Sequence, residues 1–251
     1  MIYLKTKEEL QKMRLAADAV KEVLLSLKEN VKEGVSTWEL NKIAEDIVDK
    51  RPYTAAFKGY SKYPASVCFA LNEEVVHGIP SKDKILKEGD ILGIDFGAYV
   101  DGYYGDSAIT VPVGRVSPQT KKLLDVTEAS LFKGIESATS RNFMRDISRS
   151  IQNYVEGHGF SVVKSFVGHG IGRNLHEDPQ VPNYVGKSKT QIKLRSGMVL
   201  AIEPMVNIGT DEVKILSDDW TAVTADGKLS AHFEHTVAIT DDGTEVLTRL
   251  N

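Results

Sequence analysis

Apolar positions recur along the chain with two periods, and the switches between them mark its elements. From 7 to 29, Leu10, Met13, Ala17, Val20, Val23 and Leu24 share one stripe at helical spacing, with charged residues between them. That predicts an amphipathic helix. Ser36 or Thr37 followed by Glu39 is an N-terminal capping signal, opening a second helix in GVSTWELNKIAEDIVDK. Short apolar runs at 66–71, 91–99 and 103–111 then suit strands. Ser117-Pro118 predicts the first turn of a third helix reaching about 137. A fourth covers about 143–158 and stops near Gly159, and strands follow over 161–167, 198–207, 231–239 and 244–249.

The order is two helices then strands, twice. KEGDILGID (87–95) aligns with RSGMVLAIE (195–203): a basic residue, a shared glycine, then an apolar strand ending in an acid, at an offset of 203 − 95 = 108. VHGIP (76–80) likewise resembles GHGIG (168–172). These matches point to an internal duplication in an α/β chain of the α+β kind. No long Pro/Gly linker separates the halves, about 1–113 and 114–251, so they are expected to share one core as a single domain.

The run ILGIDFGAYVDGYYGDSAIT (91–110) holds three acids in an apolar hairpin. Asp101-Gly102 is a two-residue turn signal, because both tolerate positive φ. With that loop, Gly97 faces Asp106, and Asp95, two residues from Gly97, shares its face. Asp95 and Asp106 become diagonal neighbours, with open space expected over Gly97. Two carboxylates on one apolar face repel, so one is protonated or a cation lies between them. Pairing with a nearby Lys or Arg is the other reading, and the hairpin alone leaves it open. Glu203 ends the duplicate strand, Glu234 sits amid apolar residues in AHFEHTVAIT, and His169 and His176 come from SFVGHGIGRNLHEDP. Four strand-borne carboxylates with imidazole suit Mn, Fe, Co or Zn in an oxygen-rich site. Their charge fits two ions better than one. His158 reads as a polar cap and His235 as structural; His77 by itself reads as a turn residue, and His232, on the Glu234 face, stays open.

Composition narrows the class. The 251 residues are 41% hydrophobic and 26% charged, ordinary for a globular protein, and the net charge of −4 gives no sign of nucleic-acid binding. The Lys82, Lys84 and Lys87 cluster reads as a solvated loop. A single cysteine, Cys68, excludes an intrachain disulfide. The charged N-terminus lacks a signal peptide and no run nears ~18 apolar residues, so a cytoplasmic, non-membrane protein is expected. GHGIGR lacks the third glycine of a dinucleotide fingerprint, GKSK (186–189) lacks the first glycine of a phosphate loop, and HEDPQ lacks the second histidine of a zinc helix. No G-x-S-x-G occurs.

HGIP, IDFGAYVDGYYGD, GHGIGRNLHEDPQVPNY, GMVLAIEPMV and FEHTVAIT together resemble the methionine aminopeptidases, in their bacterial type I form. The likeness covers nearly the whole chain in order. It implies the duplicated pita-bread fold: a curved antiparallel sheet, helices on its outer face, and pseudo-two-fold halves. It implies two divalent ions held by Asp95, Asp106, His169, Glu203 and Glu234. Asp106 and Glu234 would bridge both, Asp95 would serve one, and His169 and Glu203 the other. His77 and His176 would be catalytic residues beside the substrate. Tyr60, Tyr63, Cys68 and Trp220 would line the methionine pocket, with Phe57 where some members have Cys and Leu175 where some have Phe. Asn72 and Ser230 match positions that hold a structural monovalent cation in some relatives.

The activity so implied is removal of N-terminal methionine from nascent proteins with a small second residue, by a metal-activated hydroxide bridging the ions, with Glu203 moving its proton. The resemblance also implies a monomer; docking on ribosomes stays open. Two rivals stand beside it. X-Pro peptidases share the ligand pattern but carry a long N-terminal domain, whereas 76 residues precede His77 here. Relatives that only bind RNA or protein usually lack some ligands, and all five are present.

Overall fold

Two capping boxes start the chain. Thr6 accepts from the Glu9 amide while Glu9 accepts from the Thr6 amide, opening α1 (Lys7–Asn30); Ser36 and Glu39 do the same for α2 (Thr37–Val48). Pro118 opens α3 (Pro118–Ser137) behind the Ser117 cap, and α4 (Met144–Gly157) stops two residues before Gly159, whose φ is +84°. The computed structural model describes residues 1–186 and 191–250; the Lys187–Lys189 part of GKSK lies outside them.

The strands before α3 are β1 (Thr54–Ala55), β2 (Cys68–Leu71), β3 (Glu74–Val76), β4 (Ile91–Val100) and β5 (Tyr103–Pro112). After α4 come β6 (Ser161–Val162), β7 (Gly168–Gly170), β8 (Glu177–Val181), β9 (Val199–Ile202), β10 (Met205–Asn207), β11 (Val213–Ile215), β12 (Ala222–Thr224), β13 (Ser230–His232), β14 (Glu234–Thr240) and β15 (Gly243–Val246). Nine form one antiparallel sheet along the path β1-β4-β5-β14-β9-β7-β8, with β2 beside β4 and β15 beside β14. Its middle, β4-β5-β14-β9, has the order a two-fold between β5 and β14 would produce. Two three-stranded sheets, β13-β10-β6 and β11-β12-β3, complete the architecture. Helix α1 lies on β4 and β5, and α3 lies on α4, β9 and β14. The apolar stripe of α1 (Val20, Val23, Leu24, Leu27) is buried with Leu92, Ile94 and Phe96 from β4. Burial of each such side chain stabilises the fold by about 1.5–3 kcal/mol.

The hairpin has the register its alternation predicts. Asp101 (φ 46°) and Gly102 (φ 88°) form the loop, Val100 pairs with Tyr103, Gly97 with Asp106, and Asp95 with Ala108. Asp101 meets Lys12 at 2.8 Å, apart from the other two acids. The space over Gly97 is filled, contrary to expectation: a Cβ there would lie 2.9 Å from both Ala56 Cβ and a Phe57 ring carbon. The glycine admits the Phe57 loop onto the sheet.

Several predicted strands are shorter or broken. The 161–167 run pairs only at Ser161 and Val162. The 198–207 run divides at Glu203-Pro204, because proline has no amide for a ladder, and its two parts enter different sheets. The 231–239 run divides at Phe233 into β13 and β14, 66–71 starts at Cys68, and 244–249 shifts to Gly243–Val246.

The join between β5 and β14 is short. Only Ala108–Glu234 and Ser107–His235 pair there. Beyond them hydroxyls replace the ladder. Thr236 Oγ1 donates to the Asp106 carbonyl at 2.7 Å and accepts from its amide at 3.1 Å. Thr110 Oγ1 does the same for His232, at 2.7 and 2.9 Å.

Candidate active site

The seam gathers the acids. Asp95 and Asp106 project from one face of β4 and β5, Glu203 lies in the break after β9, and Glu234 opens β14. All four line a cavity of about 270 Å³ with His77, His169 and His176. Phe57, Tyr60, Tyr63, Cys68, Leu175 and Trp220 form the rest of its wall, together with Ser61. Asn72 and Ser230 meet away from that wall, where the Ser230 amide donates to the Asn72 carbonyl at 2.9 Å. Asn72 takes a left-handed φ of 57°, and its amide group bonds Asp90 and the Ile91 N–H.

Burial sets the electrostatics. It lifts Asp95, Glu203 and Glu234 well above the usual carboxylate range, and the neighbouring acids raise all three further. Asp106 is pushed up to about 7 by burial, against the lowering effect of Asp95 and the Ser107 amide. Asp95 Oδ1, Asp106 Oδ1 and Glu234 Oε1 are buried without a hydrogen-bond partner among the described residues. No cationic side chain is among the cavity's lining residues. Acceptor-only oxygens aimed at one space, without a donor, suit cations. Ligand atoms of Asp106, His169 and Glu234 lie within 4.8 Å of one another, as do those of Glu203, His232 and Glu234.

The imidazoles are differently prepared. His169 sits in β7 between β8 and β9, which its flanking glycines allow. A Cβ on Gly168 would meet the Ala201 carbonyl oxygen at 2.3 Å, and one on Gly170 would meet that of Asp178 at 2.3 Å. Its Nδ1 donates to the Gly170 carbonyl at 2.9 Å. The ring's lone pair is therefore on Nε2, 3.6 Å from Glu203 Oε1, and burial lowers the His169 pKa to about 3. His176 stands at the mouth, 4.3 Å from His169 between ring centroids, with Nδ1 2.6 Å from the Tyr60 hydroxyl. His77 follows β3 with a left-handed φ of 61°, a conformation costing about 1–3 kcal/mol and recurrent at functional sites. Its pKa falls to about 4 through burial and the nearby His176, so it is neutral at pH 7.

The remaining wall is apolar and aromatic. Trp220 packs edge-on to Tyr63 at 5.1 Å and perpendicular to His77 at 6.2 Å. Burial and the Asp95 charge raise the Cys68 thiol well above its usual range, which keeps it a neutral, polarisable contact. His158 caps α4, with Nδ1 2.7 Å from the Tyr154 carbonyl, and His235 Nδ1 lies 3.0 Å from Thr248 Oγ1; both keep clear of the cavity. Three residues close to the site escape sequence reasoning. Ser61 lines the cavity, His232 shares a face with Glu234 at a distance from Glu203 that alternation does not give, and Phe166, inside the predicted 161–167 strand, packs edge-on to His77 at 5.4 Å.

A buried carboxylate cluster with one lone-pair imidazole, set on the seam of a duplicated sheet, is the architecture of a metallopeptidase, and residues 11–241 match metallopeptidase family M24. The chain is 52% identical over 248 residues to the methionine aminopeptidase of Clostridium acetobutylicum, covering 99% of each. It superposes on the crystal structure of the methionine aminopeptidase from Thermotoga maritima with a TM-score of 0.96 at 46% identity, covering 99% of this chain and 100% of that one. The chain belongs to family M24 and, within it, to the methionine aminopeptidases. The prolidase from Pyrococcus horikoshii shares the fold alone, with a TM-score of 0.77 at 23% identity, and this chain spans 64% of its length. The fold is thus the pita-bread fold expected from the sequence.

Proposed function

We propose that this chain removes the N-terminal methionine of nascent polypeptides, preferring a small second residue, as a dinuclear metallo-aminopeptidase. The observation that carries the reading is the convergence of Asp95, Asp106, His169, Glu203 and Glu234 on one wall of a cavity whose other wall is apolar. Four carboxylates match the charge of two divalent ions, of the Co, Mn, Fe or Zn class. Asp95, Asp106, His169, Glu203 and Glu234 would hold them. When bound, such ions lower the pKa of a water enough to supply a nucleophile near neutral pH.

The chain's own groups do the rest. Glu203 receives the proton of the attacking water and delivers it to the leaving nitrogen. The Nε2–H of His176 donates to the oxygen of the scissile carbonyl as its charge grows. His77, neutral, bonds the backbone nitrogen beyond the cleaved bond. Phe57, Tyr60, Tyr63, Cys68, Leu175 and Trp220 enclose the methionine side chain, with the Cys68 sulfur as a soft contact.

The reading takes the chain as one catalytic domain of two similar halves, about 1–113 and 114–251. It adds a structural monovalent cation beside Asn72 and Ser230, a monomeric state and a cytoplasmic setting. Among the described residues, no helix is long and apolar enough to cross a membrane. The deciding assay is hydrolysis of Met-Gly-Met against Ala-Pro peptides, with metal quantified after anaerobic purification. Release of methionine from Met-Gly-Met, with slower release before a bulky second residue, is expected. Cleavage of Ala-Pro peptides alone would overturn it in favour of an X-Pro peptidase.

A further inference from the structure

The mechanism leaves one buried imidazole unused. His232, the last residue of β13, is 4% exposed, and its Nε2 has no hydrogen-bond partner among the described residues. That nitrogen lies 3.6 Å from Glu203 Oε2, while His169 Nε2 lies 3.6 Å from Glu203 Oε1. Two imidazoles flank one carboxylate, one at each oxygen.

The rings differ in what they offer. His169 donates through Nδ1 to Gly170, so it presents a lone pair. His232 presents Nε2 to an oxygen that, when ionised, only accepts. A lone pair there would oppose the carboxylate, whereas an N–H would bond it after an approach of about 0.6 Å. The His232 main chain is held on both its amide and its carbonyl by Thr110 Oγ1 of β5, the strand that carries Asp106. The backbone that carries the ring is therefore fixed relative to the strand bearing Asp106. The ring addresses Oε2 and leaves Oε1 to the His169 side.

We propose that His232 is a positioning residue of the metal centre: its Nε2–H donates to Glu203 Oε2 and turns Oε1 toward the side shared with His169. The proposal rests on the reading of Glu203 as a metal ligand. Carboxylate ligands elsewhere are held by outer hydrogen bonds of this kind. The competing role is that of a ligand itself, since Glu203, His232 and Glu234 offer atoms within 4.8 Å of one another.

Substitutions separate the roles. Glutamine places its amide nitrogen about as far from Cβ as histidine Nε2, and asparagine only as far as Nδ1. Metal-free His232→Gln, His232→Asn and His232→Leu proteins are titrated with Mn²⁺. If His232 positions Glu203, the Asn and Leu variants lose about 10–100-fold in affinity for one ion and the Gln variant keeps the parent value. Long-range ¹H–¹⁵N spectra of the Zn²⁺-loaded parent should show His232 Nε2 protonated. The proposal is overturned if Gln loses as much affinity as Leu and Nε2 is unprotonated in the Zn²⁺ form, since His232 is then a ligand. It is equally overturned if all three variants bind Mn²⁺ like the parent, since the ring then only fills space. A Glu203→Gln protein that binds Mn²⁺ like the parent refutes the metal-site reading itself, a result distinct from either of these.

Discussion

The Tyr60 hydroxyl and His176 Nδ1 stand 2.6 Å apart across the mouth of the cavity, although 116 residues separate them in the chain. A phenol proton donated to Nδ1 puts the ring's own proton on Nε2, the nitrogen free to face the cavity. Tyr60→Phe keeps the ring and removes the hydroxyl. Turnover should fall about 10–100-fold, as for other partners that orient a functional group, with metal content unchanged. A kcat equal to the parent's would show that the contact is incidental.

His176→Ala removes the donor itself. Loss of one such donor costs about 10²–10³ in kcat. The variant should still hold its metal by elemental analysis, because the proposed reading puts His176 beside the centre and not in it. Normal turnover on a methionyl peptide would refute the assignment.

Asp106→Asn should lose metal as well as activity. The residue sits on the seam with its backbone fixed by Thr236, so a neutral amide cannot move away to be replaced by another acid. Dialysis followed by metal quantification checks this, and full retention of metal would exclude Asp106 as a ligand.

Burial raises the folded-state pKa of Asp106 to about 7 and carries Asp95, Glu203 and Glu234 well above their usual values. In the metal-free protein these groups hold their protons to higher pH when folded than when unfolded. The stability this contributes is full below about pH 4, their ordinary range, and is lost as pH rises toward the folded-state values, through about 7 for Asp106. Divalent ions held by the ionised groups would oppose that loss. Thermal unfolding at pH 5 to 8, with chelator and with Mn²⁺, should show a gap in Tm that widens with pH. A gap independent of pH would contradict the coupling.

Lys5 and Glu177 form an ion pair at 2.5 Å with both side chains buried, and the Glu177 carboxylate also accepts from the Asn174 amide at 3.2 Å. The pair ties the N-terminal segment to the loop carrying His176. Lys5→Met leaves the carboxylate buried and uncompensated, which should cost about 3–5 kcal/mol in denaturant unfolding. A loss below about 1 kcal/mol, the scale of an exposed pair, would show that the loop is held by other contacts.

The site was legible where local periodicity fixes geometry. Asp95 and Asp106 follow from a two-residue turn and a period of two, and the match of Glu203 to Asp95 follows from the duplication. What no local pattern carries is the seam. It is joined by Thr110 and Thr236, whose hydroxyls replace ladder bonds to residues 122 and 130 positions away. That is why alternation alone does not assign His232: it gives the face, but not the distance from Glu203. Gly97 misled because an absent side chain looks like space, whereas the Phe57 loop occupies it. Pro204 and Phe233 broke strands that hydropathy alone joins.

Two backbone pairs are all the ladder that joins β5 to β14. On one side stand Asp95 and Asp106, on the other Glu234, Glu203 and His169. An ion shared among them would therefore also be a rivet. Chelation would remove the reactive centre and, in the same act, loosen the sheet along its midline, so the enzyme's chemistry and its mechanical integrity draw on the same few ångströms.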